Sequence, residues 1–488
     1  MRRETSRASD VDAVGVDGIH ERLQDDDDET SRVVFERWRA FDRAVDALET
    51  VTRGAREETA GGVARASERE GDAGWGAEAE APEAFFDVLV VGCGLSGCTI
   101  AERCANELGL KVLIIDKRDH VGGNCYDYVD EKCAIRRSMY GAHLFHTKHE
   151  RVWEYVQRFS EWIPYEHRVR GRVMRDDGKP VTVPIPPTRE TVNKLFDEDV
   201  RTDAEMEAWY GRERKLPPNG DPPANGEEAA LARVGERLYE KVFRHYTKKQ
   251  WDKEPKELDA SVLQRLPCRV TADDRYFSDP HQALPRRGYT RIFENMLTSN
   301  GLITVRLECD YFELLRLGKL PRRAFTVYTG PIDGYYASLG MPRLEYRSLR
   351  FEEEYINDTP ADSENGYFFQ EAMVVNYPGA DVDYTRIVEY KHTPNQPPGR
   401  KDRPGTVIVR EYSSDVGEPY YPVPTSKNRE LYEKYAELAA REPHVAFVGR
   451  LASYKYFNMD EAVLNALEMF DNLKEKGVLA VKRPPSEF

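Results

Sequence analysis

Three glycines, Gly92, Gly94 and Gly97, follow a short apolar run in the stretch VLVVGCGLSGCTIAERCANELGLKVLIIDKRDHVGGN, residues 88–124. Their G-x-G-x-x-G spacing suits a loop that receives a pyrophosphate. Gly92 permits the tight turn, Gly94 lets the backbone approach the phosphates, and Gly97 lets the next helix pack close to the strand. That helix carries Ile100, Ala101, Cys104, Ala105 and Leu108 at helical spacing, with Glu102, Arg103 and Asn106 outward. Its first turn, which includes Leu95 and Ser96, offers unpaired N–H groups to an anion. Gly109 ends the helix, and residues 111–115 read as a second strand. Asp116 closes that strand, where a carboxylate can accept hydrogen bonds from ribose hydroxyls. A lone glycine motif carries little weight. Strand, glycines, amphipathic helix, strand and acid in this order predict a dinucleotide site.

The elements that must position this site are spread along 488 residues, enough for two or three domains. A net charge of −15 argues against a general nucleic-acid surface, so any bound anion needs locally placed arginines. No apolar run approaches the length of a membrane span, and the opening MRRETSRASD lacks the apolar core of a secretory signal. Seven cysteines at irregular spacings read as buried thiols of a reducing compartment. The ten histidines show no metal-ligand spacing, so no metal is expected.

Residues 1–84 are rich in Arg, Glu, Asp, Gly and Ala and read as a largely disordered extension, with one possible helix over residues 33–52. The ordered body begins near Phe85. Residues 188–264 have a helical pattern, interrupted by a proline-glycine loop at 216–226. Residues 324–329 read as a buried strand, residues 345–425 as antiparallel sheet, and residues 445–448 as a strand followed by a helix from Met459.

The spacing Asp116-x5-Gly122-Gly123-Asn124 resembles the second glycine pair of the large FAD family that includes amine oxidases, which points to FAD rather than NAD. Further strings follow in order: YGAHLFHT (140–147), YTKKQW (246–251), YFSD (276–279), YTGPID (328–333), LEYRSL (344–349), GEPYYPV (417–423) and GRLASYKY (449–456). Over residues 85–475 the chain resembles the UDP-galactopyranose mutases of bacterial type. The resemblance implies a cytoplasmic, homodimeric flavoenzyme with UDP-galactose as substrate. It implies an isomerase that interconverts UDP-galactopyranose and UDP-galactofuranose through a covalent adduct of reduced-flavin N5 and the sugar, with no net redox change.

The implied fold is α/β, with a Rossmann-like FAD-binding domain assembled from discontinuous segments (85–164, 285–344 and 426–480). A helical domain with a mobile lid (188–267) and an antiparallel β-sheet domain (165–187, 268–284 and 345–425) accompany it.

By resemblance, Arg269 in PCRVT and Arg410 in VIVREYS grip the diphosphate. Arginine suits that task because it stays charged and binds two oxygens at once. Tyr276 and Tyr421 would donate to phosphate oxygens, Tyr246 would lie against uracil, and Tyr456 would meet the phosphate or sugar. Trp251 would stand at the channel edge on the lid. His143 would lie beside the isoalloxazine as a catalytic group, with Gly449, Arg450 and Met459 closing the flavin site and Lys117 beside Asp116. Asn458, which the resemblance places among the substrate-binding residues, stands where the family usually has an aspartate, which keeps a helix cap but removes a charge and so predicts reduced turnover. The bland alternatives are packing for a tyrosine and a weak surface ion pair for an arginine. Two rival functions are an FAD amine oxidase-like oxidoreductase and a non-catalytic nucleotide-sugar binding protein tethered by the N-terminal segment.

Overall fold

The strand Phe86–Val91, FDVLVV, is apolar nearly throughout, and the computed structural model buries it at the centre of a five-stranded parallel sheet. The described residues are 85–480, apart from 265–266, 360 and 363–365. The expected disordered extension and its helix lie outside them. The strand order is Ile303–Arg306, Val112–Ile115, Phe86–Val91, Arg323–Tyr328, Val445–Phe447. Val88 and Val90 face one apolar cluster and Leu89 the other, as strand alternation demands. The helices Leu95–Leu108, Tyr289–Thr298 and Met459–Glu475 cover the first of these faces. The strands of this sheet come from both ends and the middle of the described chain.

A seven-stranded sheet runs in the order Tyr421–Pro422, Tyr346–Ile356, Thr406–Ser414, Arg386–Glu389, Val374–Asn376, Val169–Met174, Pro180–Ile185. It is antiparallel except where Val374–Asn376 meets Val169–Met174. Helices from residues 189–251 lie on one face, and Trp209, Tyr210, Val234 and Leu238 share a core with Val388, Val407 and Val409. Gly235, at φ +79°, kinks Gly226–Leu238 where a Cβ would meet the Glu213 backbone at 2.7 Å. The π-turn Tyr239–Phe243 then leads into the helix Arg244–Trp251. Among the described residues no helix is long and apolar enough to cross a membrane.

The strand register decides which side chains lie under these helices. Arg386 stands opposite Glu411, and Val388 opposite Val409, so all four share the helix-covered face. Ile387 and Arg410 are paired on the other face.

Glycine packing supplies the first test. A Cβ on Gly97 would lie 1.9 Å from the Gly92 carbonyl oxygen, so Gly97→Ala should destabilise the fold by about 1–3 kcal/mol. Gly211 lies on the exposed face of the helix Asp203–Glu213 with open space beside it, so Gly211→Ala should stabilise by about 0.5–1 kcal/mol. Denaturant midpoints with unchanged slopes would show both signs.

Candidate cofactor groove and ligand cleft

The glycine loop and the second glycine pair face each other. A Cβ on Gly123 would lie 3.0 Å from the Gly94 Cα, whereas the space beside Gly94 is otherwise open. Asp116 accepts hydrogen bonds from the Cys93 N–H (2.7 Å) and the Arg118 N–H (3.0 Å), tying the loop to the end of the second strand. Gly94 caps Leu95–Leu108 without a side-chain bond, leaving the helix N–H groups directed at the groove.

One groove gathers the residues expected at the dinucleotide. Gly92, Gly94, Leu95, Ser96 and Gly97 line it with Asp116, Lys117, Gly122, Gly123 and Asn124. His143, Gly449, Arg450 and Met459 complete that set from distant segments. These residues fit a dinucleotide: a cradle that side chains would fill, an open helix N-terminus and a nearby carboxylate. Asn458 also lines this groove rather than the second cavity, and its N–H donates to Glu461 at 2.7 Å in the first turn of Met459–Glu475. Sequence reasoning missed Arg118, which lines the groove, donates to Asn124 at 2.9 Å and lies 4.4 Å over the Tyr140 ring. A cation between the acid and the glycine pair was the available signal.

A second cavity of about 350 Å³ is lined from the helix side by Tyr246, Thr247, Gln250 and Trp251. Arg386 and Asn376 line it from the sheet, with Tyr276, Tyr421 and Tyr456 around them. Ile185, Pro186, Pro187, Val242 and Phe243 give it an apolar wall. Desolvation within the cleft raises the phenols of half-buried Tyr246 and Tyr421 and of the more exposed Tyr276, so all three stay O–H donors at neutral pH. The Tyr421 and Tyr456 rings stack at 5.3 Å, and the Arg450 guanidinium lies 5.8 and 5.6 Å from their centroids. Arg450 therefore joins the groove to the cleft.

Arg410 requires a correction. It pairs with Glu354 (2.6 Å) and Glu352 (3.3 Å) on the far face of its strand, turned away by register from the cleft. The arginine that the structure places in the cleft is Arg386, whose Nε donates to buried Glu411 at 2.5 Å. Arg269 is likewise absent from the lining. It pairs with Asp273 at 2.9 Å, two residues beyond Pro267 on the cleft wall.

Fold and cavities define an enzyme that holds a dinucleotide cofactor on a parallel sheet and a second ligand between helices and an antiparallel sheet. The chain belongs to the UDP-galactopyranose mutase family, a family of isomerases, whose model matches residues 241–456. A model of NAD(P)-binding Rossmann-like domains matches residues 90–159. A "Probable UDP-galactopyranose mutase" of Klebsiella pneumoniae is 38% identical over 389 residues, 79% of this chain and 94% of the relative. A dTDP-fucopyranose mutase of Escherichia coli is 36% identical over 387 residues, 78% of this chain and 96% of the relative. The fold is similar to a crystal structure of reduced UDP-galactopyranose mutase, with a TM-score of 0.61 at 18% identity, over 81% of this chain and 96% of that one.

His143 gives the site a pH signature. Burial, then the nearby Arg450 charge, lowers its imidazole to about 4, and Gly141 O lies 2.9 Å from Nδ1. Between pH 6.5 and 4 the unfolded chain binds a proton that the folded chain refuses, so His143 reduces stability as pH falls through that window. His143→Gln should flatten the decline of the thermal midpoint between pH 6.5 and 4 while leaving the pH 8 value nearly unchanged. An unaltered pH slope would contradict the buried neutral imidazole.

Proposed function

We propose that the chain interconverts UDP-galactopyranose and UDP-galactofuranose in the cleft, with reduced FAD held in the adjoining groove. The observation that carries this reading is Arg386, a cation sunk in the cleft wall, fixed by Glu411 and close to Tyr246 and Tyr421. A guanidinium held through Nε presents its Nη edge to a ligand, and a diphosphate takes two such N–H groups at once. Negative charge grows on the departing UDP as the glycosidic bond breaks, and a water-poor site strengthens its attraction to Arg386. Tyr246, Tyr276 and Tyr421 would add O–H donors. Arg269 would exchange Asp273 for a phosphate when substrate binds. The Tyr246 ring and the apolar wall at Pro186, Pro187 and Val242 suit a pyrimidine base.

Held by the groove residues in its reduced form, FAD would supply a nucleophile for the anomeric carbon without net oxidation. Neutral His143 can hydrogen-bond beside the cofactor without adding charge. Arg450 lies between the two cavities and favours negative charge on either side. A cytoplasmic homodimer belongs to the same reading and rests on the resemblance alone. The 36% identity to a dTDP-fucopyranose mutase supports a second substrate pair, the same ring exchange on a thymidine diphosphate sugar.

Dithionite-reduced protein incubated without oxygen with UDP-galactofuranose, or with dTDP-fucopyranose, tests both readings by product analysis. Arg386→Ala should lower turnover roughly 10²–10³-fold with FAD retained, on the scale of losing an oxyanion donor. Arg410→Ala should change it by no more than about threefold, as for a surface ion pair. Wild-type turnover in Arg386→Ala would remove Arg386 from the reaction, and no conversion of either sugar by the parent protein would remove the activity itself.

A further inference from the structure

Lys249 belongs to the helix Arg244–Trp251 that supplies Tyr246, Thr247, Gln250 and Trp251 to the cleft, yet it does not line the cleft. Its Nζ donates to four backbone carbonyl oxygens, of Tyr377 (2.5 Å), Gly379 (2.8 Å), Val382 (3.1 Å) and Tyr384 (3.0 Å). All four belong to the connection between the strands Val374–Asn376 and Arg386–Glu389, which the Tyr377 N–H closes by donating to Thr385 O at 2.9 Å. These strands bring Asn376 and Arg386 to the cleft in register with each other.

An ammonium has three protons, so two of the four carbonyls share one, and together the four wrap it much as carbonyl rings replace the water around a potassium ion. Burial lowers its affinity for a proton, and Asp381 and Asp383 of the same connection oppose that loss. A separate link ties the end of the helix to other strands: Gln250 O accepts from Arg347 Nε (3.2 Å) and Ser413 Oγ (2.6 Å). Lys249 is thus the tie between the helix and the connection that leads into Arg386.

We propose that Lys249 is a positioning residue that locks the cleft helix to the Arg386 hairpin and so sets the spacing of the two walls that grip the ligand. The inference rests on the nucleotide-sugar reading of the cleft and adds a residue that touches neither ligand nor cofactor. Without the ammonium, four carbonyls face one another around a cavity, and the hairpin loses its hold on the helix. Substrate affinity should suffer more than the chemical step, because Arg386 itself remains.

The test uses flavin-loaded Lys249→Ala. UDP affinity and KM should each worsen about tenfold, the effect of losing a charge-assisted contact, with kcat and FAD content changed far less. Ethylammonium or propylammonium chloride should restore most of the loss by filling the carbonyl cage, whereas tetramethylammonium chloride at equal ionic strength should not. UDP affinity within twofold of the parent, or a loss that no small alkylammonium relieves, would overturn the proposal. If the variant does not fold, hydrogen exchange on the parent protein decides: saturating UDP should protect residues 377–385 together with residues 244–251. Protection of one segment without the other rejects the tie. A parent protein that does not bind UDP refutes the nucleotide-sugar reading and this inference with it, an outcome distinct from UDP binding that ignores Lys249.

Discussion

Arg386 and Glu411 meet across neighbouring strands on the sheet face that the helices cover. Glu411 is 1% exposed, and its Oε1 has no hydrogen-bond partner among the described residues. A buried carboxylate of this kind holds its cation firmly, because removing either partner leaves the other charged and dry, at a cost of about 3–5 kcal/mol. The pair therefore fixes the strand register from within. It also limits what can lie over it: a Cβ on Gly141, at φ +91°, would come within 3.4 Å of Glu411 Oε1. The carbonyl of that same glycine lies at the His143 imidazole. A turn of the cofactor groove is thus packed against the charge pair of the cleft.

The two cavities also share the segment after the strand Val445–Phe447. Gly449 and Arg450 line the groove, Tyr456 lines the cleft, and Asn458 and Met459 return to the groove. The stacked Tyr421 and Tyr456 rings beneath Arg450 form the partition. This arrangement sets the cofactor groove and the cleft side by side, one built on each sheet.

Much of the groove was legible in the sequence, because its glycines, Asp116 and the first helix turn act through local backbone geometry that spacing alone encodes. The cleft was less so. Arg410 stands beside Glu411 in the chain, but adjacent residues of a strand face opposite ways, and no string of residues states which face is covered. The arginine on the covered face, Arg386, lies in YTRIVEYKH, a short strand of mixed polarity without a chemical motif. A buried acid in a strand could have signalled that a cation must stand opposite it. Lys249 was hidden for another reason. Its partners are main-chain carbonyls, which every residue possesses and no sequence pattern marks. Arg269 sits in a segment where Asp273, four residues on, already supplies a local partner.

The parallel sheet has a consequence for how the protein is made. Its central strand, Phe86–Val91, pairs with Arg323–Tyr328, which pairs in turn with Val445–Phe447, and the groove takes its last wall from residues 449–462. A nascent chain exposes the glycine loop early, but the last wall of the groove is missing until residues 449–462 have been translated. Contacts this distant in sequence form late and slowly. A closed groove therefore requires the segment at residues 449–462, and a chain that stops before the helix Met459–Glu475 leaves that wall open.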